Sequence, residues 1–182
     1  MLPIFLPRLF VLRLIPVFFC LIFLNSCANN LNKSTNSAKA NESAIYEIEV
    51  APNVSYQDVV DSLKTVSEGK NFVNPANFPI AENMKKRGQN SVGVLETHAL
   101  CNLSLGADIM IDHPEFVVFA PCRIGLYEKR DVDNKLQLYL GLDRPTYDLK
   151  SIKNPTERAK KAAQELEDTL IEIMKKASKG DI

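Results

Sequence analysis

Cys101 and Cys122 have the widest chemical reach of any residues in this 182-residue chain. Two thiols can close a structural disulfide, sit reduced as small buried hydrophobes, or serve as a redox or sulfur-handling pair. The sequence leaves all three readings open, although the Cys-x-x-Cys spacing common in redox proteins is absent. Asn102, His98, Pro121 and Arg123 are the residues that would neighbour a site built on the pair. A metal centre would have to draw on His98, Cys101, His113 and Cys122. His98 and Cys101 are three apart, which on a strand sends them to opposite faces, and no paired ligand spacing occurs, so no metal, haem or other cofactor is expected. The chain has neither a Gly-x-Ser-x-Gly elbow nor a glycine-rich phosphate loop, so no catalytic residue is assigned.

The other two cysteines belong to the N-terminus. Arg8 and Arg13 make a positive start, residues 14–24 are uncharged and apolar, and Leu24-Asn25-Ser26-Cys27 has the pattern of a lipobox. Eleven apolar residues fall short of the ~20 that a spanning helix needs, so residues 1–26 read as a cleaved signal rather than a permanent anchor. Cys20 leaves with the signal, and Cys27 becomes the acylated first residue of the mature chain. More than one acyl chain holds stably in a membrane. Residues 28–44 are rich in Asn, Ser, Ala and Lys, a composition that does not repay its ordering entropy. As a flexible coil this tether holds the domain roughly 20–25 Å from the membrane. The signal removes two arginines and no acids, leaving 20 basic against 22 acidic residues. That balance offers no electrostatic handle on nucleic acid. The expected partners are the membrane, through the anchor, and an unidentified protein or small molecule, with a homo-oligomer allowed.

Residues 45–182 are expected to form one domain. A strand at 45–50 leads into a capping box at Ser55 and Asp58, and Val59, Val60, Leu63 and Val66 then share a helix face. Pro75 and Pro79 limit residues 71–87 to a short helix near 80–87. In the strand at 92–101, Leu95, Thr97, Ala99 and Cys101 are assigned to the apolar face, and Glu96 and His98 to solvent. Asn102 caps a helix that His113-Pro114 stops. A long strand at 116–128, interrupted at Pro121, places Cys122, Ile124 and Leu126 on one face. It forms a hairpin with the strand containing Leu136, Leu138, Leu140 and Leu142. Asn154 and Pro155 open a last helix with Ala159, Ala162, Ala163, Leu166, Leu170, Ile173, Met174 and Ala177 as its stripe. Glu165, Glu167, Asp168 and Glu172 read as its solvated face. The class is α+β: a two-layer sandwich with a mixed, mainly antiparallel sheet of about four strands and helices on one face. If the helix after Asn102 is a crossover of eleven residues, it runs back about 16 Å, and the next strand recovers that in about five residues. Residues 121–122 then lie level with Cys101, on the same apolar face and one strand spacing away.

The run Cys101-Asn102, helix, His113-Pro114, Pro121-Cys122-Arg123 and Tyr127-Glu128 resembles the domain of unknown function 302 family over residues 45–148. Leu103 and Ala120 depart from residues common in the family. The resemblance implies a compact two-layer α+β domain and brings no established reaction. Ala28, not Asp, follows Cys27, and the resemblance to sorted lipoproteins implies the periplasmic face of an outer membrane, or the outer face of the plasma membrane in a Gram-positive cell. The expected function is a lipid-anchored extracytoplasmic binding or interaction module. A thiol-dependent redox or sulfur-relay protein using Cys101 and Cys122 is the alternative.

Cys27→Ser is expected to release the chain from membranes or leave it unprocessed. Mass spectrometry of the mature wild-type N-terminus checks the assignment, and a chain starting unmodified at any residue other than Cys27 contradicts it.

Overall fold

In the computed structural model, residues 43–91 and 93–182 are described; residues 1–42, with the apolar run, the lipobox Cys27 and most of the tether, lie outside the described residues, as does position 92. Among the described residues no helix is long and apolar enough to cross a membrane. The elements in chain order are β1 (Ile45–Glu49), α1 (Tyr56–Gly69), β2 (Val73–Phe78), α2 (Ile80–Lys86), β3 (Leu95–Cys101) and α3 (Leu103–Met110). A 3₁₀ turn (Pro114–Phe119), β4 (Cys122–Arg130), β5 (Leu136–Asp143), α4 (Pro145–Asp148), a second 3₁₀ turn (Leu149–Ser151) and α5 (Glu157–Ala177) complete the domain.

The local signals that act through the backbone work as chemistry demands. Ser55 Oγ accepts from the Asp58 amide while the Asp58 carboxylate accepts from the Ser55 amide at 3.0 Å, so two amides at the start of α1 are satisfied reciprocally. Asn102 Oδ1 accepts from the Leu105 amide at 3.1 Å and starts α3. The cap of α5 is Thr156 rather than Asn154: its hydroxyl accepts from the Ala159 amide, and Asn154 sits upstream at φ 51°, turning the chain before the helix.

The fold is α+β with a five-stranded antiparallel sheet in the order β1-β5-β4-β3-β2. The expected count of about four strands omitted β2, because Pro75 argued against a strand there. The register breaks between Val73 and Ala76, so Pro75 falls in an irregularity of an exposed edge strand, where a missing N–H is tolerated. Residues 114–119 form a 3₁₀ turn in place of the first part of the expected long strand. Pro114 starts the turn, and the Ala120 amide closes it on the Val117 carbonyl.

One row of the sheet is buried. It runs through Leu140 and Leu142 of β5, Ile124 and Leu126 of β4, and Leu100 of β3, and shares a core with Val59 and Leu63 of α1, Ile109 of α3 and the whole apolar stripe of α5. In β3 the alternation has the opposite phase to that expected: Glu96, His98 and Leu100 are buried, while Leu95, Thr97, Ala99 and Cys101 are half-exposed. Three of the four side chains on the expected face, Thr97, Ala99 and Cys101, are small or polar and gave a weak signal, and the apolar anchor that decided the phase is Leu100.

The helix α5 is tied to the end of β5 by a buried carboxylate. Glu167, expected on a solvated face, is 2% exposed. It accepts from Arg144 Nε at 2.8 Å, Arg144 Nη2 at 2.7 Å, the Thr146 amide at 3.1 Å and the Thr146 hydroxyl. Every bond here lands on the charged form, which makes the burial tolerable.

Removing one partner of such a pair strands the other charge, so Glu167→Ala is expected to cost about 3–5 kcal/mol, and Leu140→Ala about 2–5 kcal/mol. The exposed neighbour Glu165→Ala is expected to stay within about 0.5 kcal/mol. Denaturant melts of the three variants check this, and equal losses at Glu165 and Glu167 would contradict the burial of α5.

Candidate functional site

Three short devices bring the two cysteines together. Cys101 ends β3, the Asn102 cap turns the chain into α3, and the 3₁₀ turn with the cis Ala120-Pro121 peptide leads to Cys122, the first residue of β4. The strands pair antiparallel, with Leu100 opposite Cys122 and Ala99 opposite Arg123. The expected level match came from a parallel crossover, which does not occur: α3 is eight residues long, and the 3₁₀ turn reverses the path before β4 starts. Cys101 therefore lies one step beyond the residue that faces Cys122, and strand alternation puts the two on opposite faces instead of a shared apolar one. Both sulfurs are free thiols.

At this end of the sheet Cys101 and Cys122 line one small cavity, with a volume of about 20 Å³. Leu100, Asn102, Met110, Phe116 and Phe119 are among its other walls. Burial raises the Cys101 thiol above the usual range. Cys122 is pushed up to about 12, first by burial and then by Cys101, Asp148 and Asp143. Neither thiol is ionised near neutrality, and a thiol that keeps its proton is a poor nucleophile.

Arg123 and Asp148, near Cys122 on different elements, complete the electrostatics. Arg123, at the second position of β4, forms an ion pair with Asp143 at the end of β5. Asp148, at the end of α4, is held up to about 6 by burial and by the charge of Asp143, against the pull of Arg123. Asp148 was not legible as a site residue, since a four-residue helix after Pro145 leaves no periodicity to read.

His98 and Glu96, expected in solvent, are 3% and 8% exposed. His98 Nε2 lies 2.8 Å from Glu96 Oε1, and the Tyr56 hydroxyl donates to the Glu96 carboxylate at 2.9 and 3.0 Å. Burial, with the Glu96 hydrogen bond and charge, pushes the Tyr56 hydroxyl up to about 12. Beside Tyr56 is a cleft of about 190 Å³ between Val50, Val54, Val94, Glu128 and Leu136. The other histidine, His113, accepts from the Thr156 amide at 3.0 Å through Nε2 and links α3 to α5. Neither histidine joins the cysteines. Among the described residues no three His, Cys, Asp or Glu side chains gather as a metal site.

The half-exposed face of the sheet has its own arrangement. The Tyr127 and Tyr139 rings stack with centroids 6.2 Å apart, and Lys129 Nζ lies 4.0 Å from the Tyr139 centroid. Glu47 accepts from the Tyr127 hydroxyl and from Lys129. Gly141 is required here, because a Cβ on it would sit 2.9 Å from the Tyr127 hydroxyl oxygen. The tyrosine ring lies across the space that the glycine leaves.

Residues 46–177 match the family described as "Domain of unknown function DUF302". An uncharacterized protein of Aquifex aeolicus (strain VF5) is 35% identical over 92 residues, which cover 50% of this chain and 57% of that protein. The crystal structure of an uncharacterized conserved protein DUF302 from Bacillus stearothermophilus aligns with a TM-score of 0.63 and 16% identity, covering 73% of this chain and 97% of that one. At that identity the likeness speaks for the fold.

Asp148 generates a pH test. Its carboxyl holds a proton more tightly folded than unfolded, so its contribution to stability is full below about pH 4 and lost as the pH rises through about 6. Asp148→Asn is therefore expected to raise Tm at pH 7.5, by the equivalent of about 1 kcal/mol after allowing for solvent screening, and to leave it unchanged at pH 3.5. Thermal melts at the two pH values check it, and an equal shift at both would contradict the reading.

Proposed function

The chain belongs to the DUF302 family, and from that premise we propose that it is a binding or interaction module, held outside the cytoplasm by lipid on Cys27. The module is a two-layer sandwich with helices on one face of its sheet, an arrangement that accounts for the one-sided burial of β3, β4 and β5. The sequence before Cys27 supports the anchor, and Ala28 favours the periplasmic face of an outer membrane, or the outer face of the plasma membrane in a Gram-positive cell. The ligand is a protein or small molecule rather than nucleic acid, since the mature chain carries no excess of basic charge.

What favours a binding reading over thiol chemistry is the burial around both cysteines, which pushes both thiols away from the thiolate state. A redox or sulfur-relay protein needs at least one accessible thiolate, and burial lifts both thiols away from that state. A specific fact does favour the redox reading: two free cysteines border one cavity. It therefore stands as the second reading.

The two are separated by thiol labelling of the full chain, reduced and then freed of reductant. With a maleimide at pH 7, the native protein is expected to keep both Cys101 and Cys122 unmodified after an exposure that labels both in the unfolded chain. Fast native labelling of either residue would transfer the assignment to the redox reading.

A further inference from the structure

We propose that the cleft between the β1-to-α1 connection and the hairpin of β4 and β5 binds a short primary alkylammonium ion of about six non-hydrogen atoms. The inference rests on the binding reading above and names its ligand class. The cleft measures about 190 Å³, which at about 30 Å³ per water-sized group is room for roughly six such atoms. Its lining is Val, Leu, Ala and Pro apart from three side chains, Tyr56, Glu128 and Gln137, and none of it is basic. The apolar part suits a hydrocarbon chain, and the polar part decides what stands at its end.

All three polar side chains have acceptors to offer and no donor to spare. The Tyr56 hydroxyl spends its one proton on the Glu96 carboxylate, at 2.9 and 3.0 Å, and keeps only lone pairs. The Gln137 amide nitrogen donates to the Val50 carbonyl at 2.8 Å and the Leu138 carbonyl at 3.4 Å, leaving its oxygen free. Glu128 Oε2 accepts from the Val94 amide at 2.7 Å, and Oε1 has no partner among the described residues. Since no buried side-chain oxygen among those residues lacks a partner, Oε1 is open to solvent. The backbone adds few donors: the Val50, Ala51, Val54 and Val94 amides all donate within the protein, and Pro52 has none. The start of α1, where a helix favours an anion, already holds the Asp58 carboxylate of the capping box. Arg130, the next residue on the Glu128 side of β4, donates to the Asn134 carbonyl at 2.8 Å and is not part of the lining. A lining of acceptors with one carboxylate and no base calls for a cationic donor. One free carboxylate oxygen suits an ammonium, a point charge with three donors, better than a guanidinium, whose planar fork needs two.

The test is titration of the full chain with n-pentylammonium chloride at pH 7, followed by backbone amide shifts in nuclear magnetic resonance. Saturable shifts are expected at Val50, Val54, Val94 and Leu136, with a dissociation constant in the millimolar range. 1-Pentanol, of equal size and no charge, and pentanoate, of opposite charge, are each expected to bind at least about tenfold more weakly. Glu128→Gln keeps an acceptor for the Val94 amide and removes the charge, and is expected to weaken binding at least about tenfold. Leu136 is 42% exposed, so Leu136→Lys brings a cation to the lining without disturbing the core and serves if Glu128→Gln does not fold. The same loss is expected there, and Leu136→Glu is expected to bind at least as tightly as the wild type. Pentanol or pentanoate binding as tightly as the ammonium, unchanged affinity in Glu128→Gln or Leu136→Lys, or no saturable shift at the cleft amides would each overturn the ligand class. Such a failure is distinct from failure of the binding reading itself, which fast maleimide labelling of Cys101 or Cys122 would signal.

Discussion

Leu100 lies opposite Cys122 in antiparallel register, and the whole cysteine end of the domain follows from that pairing. Leu100 is among the most deeply buried side chains, so a slip of one residue would send it to the open face and bring Cys101 inward. With Leu100 anchored, β3 has to end at Cys101, α3 has to turn back over the sheet end, and the 3₁₀ turn has to deliver Cys122 beside it. The same anchor carries Glu96 and His98 to the buried side, four and two residues earlier in the strand. One hydrophobic contact thus sets the phase of two polar features that have no hydrophobic reason to be where they are.

Burying polar groups demands compensation, and the domain supplies it in closed local networks. Glu96 receives Tyr56 and His98; Glu167 receives Arg144 and Thr146. Among the described residues no buried side-chain nitrogen or oxygen lacks a partner. These networks join elements distant in sequence: Tyr56 at the start of α1 to β3, and α5 to the turn after β5. A carboxylate bonded on several sides has one geometry, so each network fixes a packing angle that apolar contact alone leaves loose.

The two ends of the sheet differ in chemistry. The end near Tyr56 offers a larger polar cleft with hydroxyl and carboxylate groups, while the cysteine end offers a small cavity with mostly apolar walls. The two ends therefore present different surfaces to a partner. Burial pushes both thiols of the cysteine end away from the thiolate state, and burial with the charge of Asp143 raises the carboxyl of Asp148.

Local signals were legible wherever backbone geometry or a long apolar repeat decides the outcome. The Ser55 and Asp58 box, the Asn102 cap and the stripe of α5 depend on atoms a few residues apart. Of the alternating leucines at 136–142, Leu140 and Leu142 are buried as expected, while Leu138 is half-buried and Leu136, at the open end of β5, is exposed. Cys101 and Cys122 drew attention from their count alone, and the register places them at the same end of the sheet but on opposite faces. What tertiary structure alone decided were the properties set by a partner on another element: the phase of β3, the edge strand β2 around Pro75, the antiparallel sense of β3 and β4, and the burial of Glu96, His98 and Glu167. A strand of Leu, Glu, Thr, His, Ala, Leu and Cys alternates almost equally well in either phase, and only the neighbour across the sheet breaks the tie. Asp148 escaped for the same reason, since a carboxylate on a four-residue turn acquires its environment only through the side chains that folding brings beside it.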